Sequence, residues 1–542
     1  MKVSTAVAEV LRREGVEVIF GYPRNAVLEE AASLGIRPII VRQERTGVHM
    51  ADALSRLTRG RKIGVFAMQH GPGTENAYGG VAQAYAESVP VLVLPQGYAR
   101  RIAFVPDNYN SSISMRDVTK HAEPITDARE VGNVLRRAFT QLRNGRGRPV
   151  LVEMPWDVLD EQLPAPLDYV PVVGCKTAPS AIEVEVAARR LVEATRPLIF
   201  AGQGVHWAGA YDELRQLAEL LGAPVATSLA GKSTFDETHP LALGAAGAAL
   251  PGQLRHFLDR ADLILGIGCS FSESAFAVGM PSGTPIIHAT LDPADLNKSV
   301  RCEQGLIGDA RLTLEMLVDC CRTRLGATRD IAPVGREIAK AEALWFKQWQ
   351  PLLESDAAPL NPYRVLWELQ RTVDVANTII THDAGSPRDQ LTPFWKCTTP
   401  GSYIGWGKST QLGYGLGLAL GAKLACPDKL CINVWGDAAI GFTGMDFETA
   451  VRERLPILSI LLNNSAMAIE LPVMPVATRD YRATDISGDY AAFARALGGY
   501  AERVETPEGI APAIKRGVKA TLEGKPALLE FITSCETRIS KG

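Results

Sequence analysis

The sequence predicts an α/β protein built from three doubly wound domains, each containing a parallel sheet. Short apolar runs that can form buried parallel strands alternate with stretches of helical periodicity along the chain. Turns containing Gly, Pro or Asn follow these runs, where the strands should end. The 542 residues exceed what one hydrophobic core organises, so about three domains are expected.

The first predicted domain spans residues 1–165. A helix over residues 4–14 opens it, and further helices are expected over 46–57 and from Asn76 onwards. The apolar runs that alternate with these helices predict strands at residues 18–20, 38–41, 62–68, 89–95 and 149–154. This alternation is typical of a doubly wound parallel sheet.

The second and third predicted domains span residues 180–325 and 361–542. A Pro-rich linker precedes the second domain, and a charged helix within residues 330–359 precedes the third. The second domain has a Rossmann-like pattern, but its glycines do not form the G-x-G-x-x-G signature of dinucleotide sites. The third contains strands at residues 377–381, 430–435, 456–462 and 527–532, with a helical stretch at 444–454.

Composition and charge give no indication of a nucleic-acid or membrane partner. The net charge of −3 does not favour nucleic acid or an anionic membrane surface. The N-terminal stretch lacks the apolar core of a signal peptide, and no apolar run is long enough to span a bilayer. The nine cysteines are scattered and form no C-x-x-C pair, so a reducing, cytoplasmic location is expected.

The stretch from residue 430 to 464 predicts a metal site. A strand–helix–strand crossover of this size brings the carboxyl ends of two parallel strands to one edge of the sheet, where ligands bind. Asp437 and Asn464 then stand side by side, each offering an oxygen of the kind that Mg²⁺ prefers together with substrate phosphates. The alternative is an ordinary crossover in which Asp and Asn occur by chance.

The same stretch resembles the thiamin diphosphate motif, Gly-Asp-Gly followed about two dozen residues later by Asn-Asn. Here Gly436-Asp437-Ala438 is followed, after 24 residues, by Asn463-Asn464. The resemblance implies that Asp437, the Asn464 side chain and the carbonyl of residue Ala466 bind Mg²⁺. It also implies that Gly436 and the backbone amides of Ala438 and Ala439 approach the diphosphate, as at other helix starts.

With three such domains in this order, the chain resembles the superfamily of acetolactate synthase, pyruvate oxidase and pyruvate decarboxylase, and in pattern it is most similar to acetolactate synthase large subunits. The resemblance implies a pyrimidine-binding domain, a central domain and a diphosphate-binding domain. It also implies a homodimer or homotetramer with active sites at the dimer interface. Relatives carry FAD or ADP in the central domain, and nothing in this sequence supports either.

Besides the metal ligands, Glu44 is predicted to be a catalytic acid. Arg42-Gln43-Glu44 resembles the family pattern in which an acid follows the second strand. Thiamin diphosphate acts as an electron sink, and a carboxylic acid that shares a proton with its pyrimidine nitrogen promotes the reactive tautomer. Such an acid needs an apolar setting that raises its pKa. The alternative is that Glu44 merely opens a helix, where an acid suits the dipole.

Three further positions match family contacts to the cofactor. Ser386 lies where relatives contact the diphosphate. The Thr410 carbonyl would accept a hydrogen bond from the aminopyrimidine, and Leu412 would wedge between the two rings to hold the bent cofactor. The alternative for Leu412 is a core residue at a helix start.

The substrate side is expected around Gln69, His70, Ile469 and Glu470. His70 titrates near neutrality and could shuttle protons, although such a histidine is more often only packed. Ile469 would wall the pocket and Glu470 would act as an acid or base, as in the decarboxylases. The alternative for Glu470 is a surface residue.

These observations predict a thiamin diphosphate- and Mg²⁺-dependent transferase or lyase acting on a small 2-oxo acid. The first choice is an acetolactate synthase-like carboligase. A 2-oxo acid decarboxylase and a 2-hydroxyacyl-CoA lyase are alternatives, and a non-catalytic homologue that retains the fold is a fourth.

Overall fold

The computed structural model describes residues 1–542. Residue contacts divide the chain into two compact units. The first unit comprises Met1–Cys175, Ser409–Asp428 and Phe442–Pro456. The second comprises Lys176–Lys408, Lys429–Gly441 and Ile457–Gly542. The predicted division at residues 165, 180, 325 and 361 stays a prediction.

Three parallel sheets of six strands, flanked by helices, make up the fold, which confirms the predicted α/β class. The first sheet lies in the first unit, with the order β2-β1-β3-β4-β6-β5. Its strands are β1 Val18–Gly21, β2 Arg37–Ile40, β3 Gly64–Met68, β4 Val91–Gly97, β5 His121–Pro124 and β6 Val150–Pro155. Its helices are α1 Val3–Arg13, α2 Ala26–Ser33, α3 Glu44–Leu57, α4 Pro72–Ala86, α5 Ser111–Ser114, α6 Val131–Arg143 and α7 Trp156–Leu159.

The second sheet lies in the second unit, with the order β12-β11-β10-β7-β8-β9. Its strands are β7 Pro197–Ala201, β8 Val225–Ser228, β9 Ala242–Ala246, β10 Leu263–Ile267, β11 Ile286–Thr290 and β12 Gln304–Ile307. The accompanying helices are α8 Ala181–Glu193, α9 Gln203–Ala208, α10 Tyr211–Leu221, α11 Gly252–Leu258, α12 Ala310–Leu325 and the linking helix α13 Ala332–Leu353.

The third sheet also lies in the second unit, with the order β14-β13-β15-β16-β18-β17. Its strands are β13 Thr378–His382, β14 Tyr403–Ile404, β15 Leu430–Gly436, β16 Leu458–Asn463, β17 Tyr500–Val504 and β18 Ala527–Ile532. The helices along this part of the chain are α14 Pro362–Thr372, α15 Ser386–Leu391, α16 Tyr414–Ala425, α17 Asp437–Thr443, α18 Phe447–Arg452, α19 Pro475–Tyr481, α20 Tyr490–Ala496 and α21 Pro507–Leu522.

Helices α3 and α16 pack closely within the first unit, although they are far apart in sequence. Glycines on α16 make this approach possible. A Cβ at Gly417 would lie 2.5 Å from the Cβ of His49, and one at Gly421 would collide with the carbonyl oxygen of Met50. Because overpacking of this kind is destabilising, the glycines fix how close α16 lies to α3.

The chain around Ser540 packs against α13 in the second unit. The Trp345 indole N–H donates to Ser540 Oγ at 2.8 Å, and that hydroxyl donates to the carbonyl of Leu250 at 2.6 Å. Ser540 is 1% exposed, so its hydroxyl is satisfied by protein groups.

None of the helices is long and apolar enough to cross a membrane. All nine cysteines are free thiols.

Candidate active site

The ends of β15 and β16 bring the predicted metal-binding residues to one edge of the third sheet. The two strands pair in parallel up to Gly436 and Leu462. Asp437 follows directly after β15, and Asn464 follows directly after β16. Parallel pairing in this register therefore places the carboxylate and the amide on the same side of the sheet edge.

The carboxylate of Asp437 faces the turn formed by Asn464, Ser465 and Ala466. Burial raises the pKa of Asp437, and the nearby backbone N–H groups of Ser465, Ala438 and Ala466 oppose that rise. The Ala438 donor lies 2.9 Å from Asp437 Oδ1. The Asn464 Oδ1 accepts the Ala466 N–H at 3.0 Å, which orders the turn.

The donor set fits a hard divalent cation such as Mg²⁺. Asp437 is 4% exposed, and its Oδ2 is buried without a hydrogen-bond partner. A buried, unpartnered carboxylate oxygen is costly unless a ligand or a cation satisfies it. The predicted donors are one carboxylate, one amide and one turn carbonyl. The protein has no cluster of three or more His, Cys, Asp or Glu that could hold a metal instead. Such oxygen donors suit Mg²⁺ shared with phosphates.

The predicted diphosphate contacts lie at the same edge. Ser386 opens α15 after Gly385, which adopts φ +81°, and it is half-buried. A Cβ at Gly436 would lie 3.9 Å from Pro387 Cγ, so the starts of α15 and α17 are neighbours. Small residues leave this edge open for a ligand to approach the backbone.

The two amides predicted to bind phosphate differ in their surroundings. The Ala438 N–H is already directed at the Asp437 carboxylate. Ala439 is 1% exposed within the first turn of α17. The first N–H groups of a helix lack intrahelical partners, so Ala439 is the better placed of the two.

Ile469 and Glu470 follow the turn of Asn464–Ala466, which we call the metal turn. A Cβ at Gly385 would lie 3.7 Å from Ile469 Cδ1, which places the isoleucine beside the start of α15. Ile469 is 49% exposed, and Glu470 is also exposed. The structure therefore brings Ile469 to the predicted ligand edge and leaves the Glu470 side chain open to solvent.

In the first unit, Glu44 is the first residue of α3 and is 5% exposed. Burial raises the pKa of its carboxyl, and the nearby charge of Asp446 acts in the same direction, while a hydrogen bond with Asn76 opposes it. A Cβ at Gly73 would lie 3.5 Å from Glu44 Oε1, so the carboxyl lies beside the start of α4. These surroundings favour the protonated acid that the chemistry requires.

The loop that carries Thr410 and Leu412 lies against α4. The Gln83 side chain on α4 donates its Nε2–H to the carbonyl of Ser409 at 2.9 Å. Thr410 and Leu412 are both half-buried. Helix α4 therefore has the Glu44 acid beside its start and the predicted pyrimidine loop along its side.

Gln69 and His70 follow β3, where the first sheet ends. The His70 ring lies 4.6 Å from the Tyr98 ring and 4.9 Å from the Trp156 ring. Burial lowers the pKa of His70, and the positive charge of Arg24 adds to this effect. Gln69 is half-buried, and its Cγ would lie 2.9 Å from a Cβ at Gly73, so it borders the start of α4.

Asp446 lies close to the candidate acid Glu44, and nothing in the sequence pointed to it. It is fully buried, and its Oδ1 accepts the Arg42 N–H at 2.7 Å and the Thr449 hydroxyl at 2.9 Å. It therefore holds the backbone just before Glu44. An acid near the start of a short helix looks like a solvated residue, and only the packing on α3 reveals its role.

The glycines after β7 and β10 of the central sheet bear on whether this sheet could hold FAD or ADP. The Gly202 N–H donates to the Ile267 carbonyl, and the Gly204 N–H donates to the Gly268 carbonyl, both at 2.8 Å. These N–H groups are thus engaged by the protein and do not fit a phosphate at this turn.

Three family models, all of thiamine pyrophosphate enzymes, match successive parts of the chain. Residues 1–104 match the model described as "Thiamine pyrophosphate enzyme, N-terminal TPP binding domain". Residues 184–317 match the "central domain" model and residues 383–531 the "C-terminal TPP binding domain" model of the same enzymes.

Among full-length relatives, the chain is 29% identical to a probable acetolactate synthase large subunit of Methanocaldococcus jannaschii, covering 98% of this chain and 92% of the relative. It is also 29% identical to the acetolactate synthase isozyme 3 large subunit of Escherichia coli K12, covering 84% and 81%. An X-ray structure from Mycobacterium smegmatis, provisionally assigned as a thiamin diphosphate-dependent enzyme, superposes with a TM-score of 0.83 at 22% identity, covering 98% of this chain and 99% of that one. At that identity the structural likeness concerns the fold alone.

Proposed function

Because the chain belongs to the thiamine pyrophosphate enzymes, we propose that it is a Mg²⁺-dependent carboligase of the acetolactate synthase type. It would decarboxylate a 2-oxo acid such as pyruvate and join the remaining fragment to a second carbonyl. The names of the full-length relatives support this reaction. The observation that carries the catalytic part is Glu44, a buried acid with a raised pKa at the start of α3.

When bound, thiamin diphosphate supplies an electron sink for breaking and forming bonds next to a carbonyl. Glu44 would hold a proton at the pyrimidine nitrogen, which requires the protonated carboxyl that its burial favours. Thr410 and Leu412 would shape the pyrimidine pocket.

The metal end would be held by the residues at the edge of the third sheet. Asp437, Asn464 and the Ala466 carbonyl would bind Mg²⁺, and the unpartnered Asp437 Oδ2 supports this assignment. Ser386 and the backbone from Gly436 to Ala439 would face the diphosphate.

On the substrate side, Gln69 and His70 would face the reacting carbonyls, and Ile469 would exclude water from one wall. The packed His70 ring, whose pKa is lowered, would be neutral near pH 7 and able to accept a proton. Glu470 would act only if the pocket closed over it, because its side chain is exposed.

Incubation with pyruvate, thiamin diphosphate and Mg²⁺, followed by NMR of the products, tests the proposal. Acetolactate is the expected product. Acetaldehyde alone would favour the 2-oxo acid decarboxylase, which the Ile469-Glu470 pair supports by resemblance. Turnover only with an acyl-CoA substrate would favour a 2-hydroxyacyl-CoA lyase. Thiamin diphosphate binding without turnover of any of these would indicate a non-catalytic homologue.

The proposal includes self-association, as a dimer or tetramer with active sites between copies. Exposed apolar side chains concentrate after the metal turn, and such patches mark interaction surfaces. They are Met467, Ile469, Val473, Met474, Val476 and Tyr481. Size-exclusion chromatography with light scattering measures the oligomeric state of wild type and of Val473→Asp. We expect an oligomeric wild type and a weaker assembly in the variant, and a monomeric wild type would contradict the proposal. A cytoplasmic location is also proposed, supported by the free cysteines.

A further inference from the structure

Glu530 is a fully buried carboxylate that the proposed chemistry does not use. It lies on β18 beside β16, opposite Leu461 in the parallel register. Both of its oxygens accept hydrogen bonds: Oε1 from the Asn463 side-chain N–H at 2.8 Å and Oε2 from the Ala491 N–H at 2.9 Å. Hydrogen bonds of this kind offset part of the cost of burying a carboxyl group.

The contact with Glu530 fixes the orientation of the Asn463 amide. A carboxylate can only accept, so the NH₂ group of Asn463 must face Glu530 and its Oδ1 must face away. That Oδ1 accepts the Ser465 N–H at 3.0 Å. Asn463 is 4% exposed, so solvent does not compete for either end of the amide.

Ser465 is the strained residue of the metal turn. It adopts φ +59°, a left-handed conformation that is unfavourable for a residue with a side chain. The Asn463 hydrogen bond offsets part of that strain. The same turn lies beside Asp437, because its Ser465 and Ala466 N–H groups act to lower the pKa of that carboxyl.

We propose that Glu530 and Asn463 are positioning residues that hold the turn of Asn464–Ala466 against Asp437 and thereby set the affinity for Mg²⁺. The inference rests on the proposed function, because it takes Mg²⁺ as the ion at this edge. Mg²⁺ demands near-octahedral ligands at short distances, so a small shift of the turn weakens its binding. Residues that orient metal ligands typically change affinity by about 10–100-fold when replaced.

Glu530→Gln tests the chain of contacts with little change in shape. A glutamine has one acceptor oxygen, so it cannot satisfy both Asn463 and Ala491. If the glutamine oxygen still accepts the Ala491 N–H, the glutamine NH₂ group faces the Asn463 NH₂ group. The Asn463 amide must then rotate, and its NH₂ group turns towards the Ser465 N–H, which is also a donor. We expect a Mg²⁺ affinity about 10–100-fold weaker than that of wild type.

Asn463→Asp breaks the same link from the other side, because it sets two carboxylates against each other. It also brings a negative charge nearer the ion, which would strengthen Mg²⁺ binding if position did not matter. The double variant Asn463→Asp/Glu530→Gln restores every contact with the donors reversed. The new carboxylate at position 463 would accept from the new amide at position 530 and from the Ser465 N–H, and the oxygen of that amide would accept from the Ala491 N–H. We expect weaker binding in both single variants and recovery in the double variant.

Binding is measured directly, by calorimetric titration of Mg²⁺ into each protein with thiamin diphosphate present, with thermal unfolding as the check on folding. Glu153→Gln controls for the replacement of a buried, hydrogen-bonded acid away from the metal turn. Glu153 is 3% exposed, and its Oε2 accepts from the Ser111 hydroxyl at 2.8 Å and from the Ser112 N–H at 2.7 Å. The single oxygen of a glutamine can accept both bonds, so this variant should keep its Mg²⁺ affinity.

Wild-type Mg²⁺ affinity in folded Glu530→Gln, or no recovery in the double variant, would overturn the positioning role. The same holds if Glu153→Gln weakens Mg²⁺ binding as much as Glu530→Gln does. Failure of the proposed function looks different. If the carboligase assignment is wrong, Mg²⁺ binding and its dependence on Glu530 remain and only the reaction product changes. If the Mg²⁺ site itself is wrong, the wild-type protein shows no Mg²⁺-dependent binding of thiamin diphosphate.

Discussion

Glu44→Gln separates the catalytic use of the acid at the start of α3 from its effect on folding. Glutamine keeps the size and one acceptor oxygen for Asn76 and removes the ionisable proton. Proton transfer by a positioned side chain typically contributes about 10²–10⁴-fold, so turnover should fall by that factor while Mg²⁺ binding remains.

The same substitution should stabilise the cofactor-free protein at high pH. Because burial raises the pKa of Glu44, the folded protein binds more protons than the unfolded chain between the ordinary and the raised pKa. The contribution of Glu44 to stability is therefore complete below the ordinary pKa and declines as pH rises through the raised value. Each unit of elevation corresponds to about 1.4 kcal/mol at high pH, which a neutral glutamine avoids losing.

The assay combines steady-state turnover with thermal unfolding at pH 5 and pH 8 for wild type, Glu44→Gln and Glu29→Gln. Glu29 is an exposed acid in the first turn of α2, so its replacement controls for loss of a surface charge. We expect a higher unfolding midpoint for Glu44→Gln, with a gain that is larger at pH 8 than at pH 5. Wild-type turnover, or a midpoint gain independent of pH, would refute the reasoning.

Three further substitutions test other parts of the structure. Asp437→Asn should reduce Mg²⁺ affinity by at least about tenfold in calorimetric titration, because it removes the only carboxylate of the metal site, and unchanged affinity would exclude that site. Ser540→Ala leaves the buried Trp345 N–H without its partner and should lower the free energy of unfolding by about 1–3 kcal/mol in urea titration. No loss would mean that the contact between Ser540 and α13 contributes little to stability. Gly421→Ala drives a methyl group into the carbonyl of Met50 and should cost about 1–3 kcal/mol or more by the same measurement, whereas a neutral effect would contradict the close packing of α16.

The parts of the fold that followed from the sequence are those in which local pattern and tertiary role agree. The apolar run before Asp437 and the one before Asn464 read as buried strands, and both are strands in one parallel sheet. Strand β18 has the predicted bounds. By contrast, the prediction placed a helix only from residue 444, whereas α17 begins at Asp437 directly after the strand. Its Gly- and Thr-containing sequence has weak helix propensity, and packing overrides it.

Short strands with mixed composition escaped the prediction. His121–Pro124 contains two polar residues and a proline, and it forms an edge strand where such residues are tolerated. Val225–Ser228 is too short for an apolar run to stand out. Its pairing with β7 depends on tertiary contacts rather than on local pattern.

Buried acids were the other class that the sequence could not reveal. Glu530 sits within an apolar strand, where a lone charge suggests a solvent-facing position, and Asp446 resembles any acid of a short helix. Their burial depends on partners distant in sequence: Asn463 for Glu530 and the backbone of Arg42 for Asp446. Periodicity reports the average face of an element, so it cannot detect one satisfied charge within a core.

The close packing of α16 on α3 has a practical consequence for dissecting this protein. A fragment ending near residue 175 would lack α16 and leave bare the side of α3 that contains His49 and Met50. Such a fragment should aggregate or fail to accumulate. To restore the complete first unit, the fragment would need residues 409–428 and 442–456 joined to it through a short tether. An exchange of the N-terminal third between relatives would likewise have to include those two distant segments.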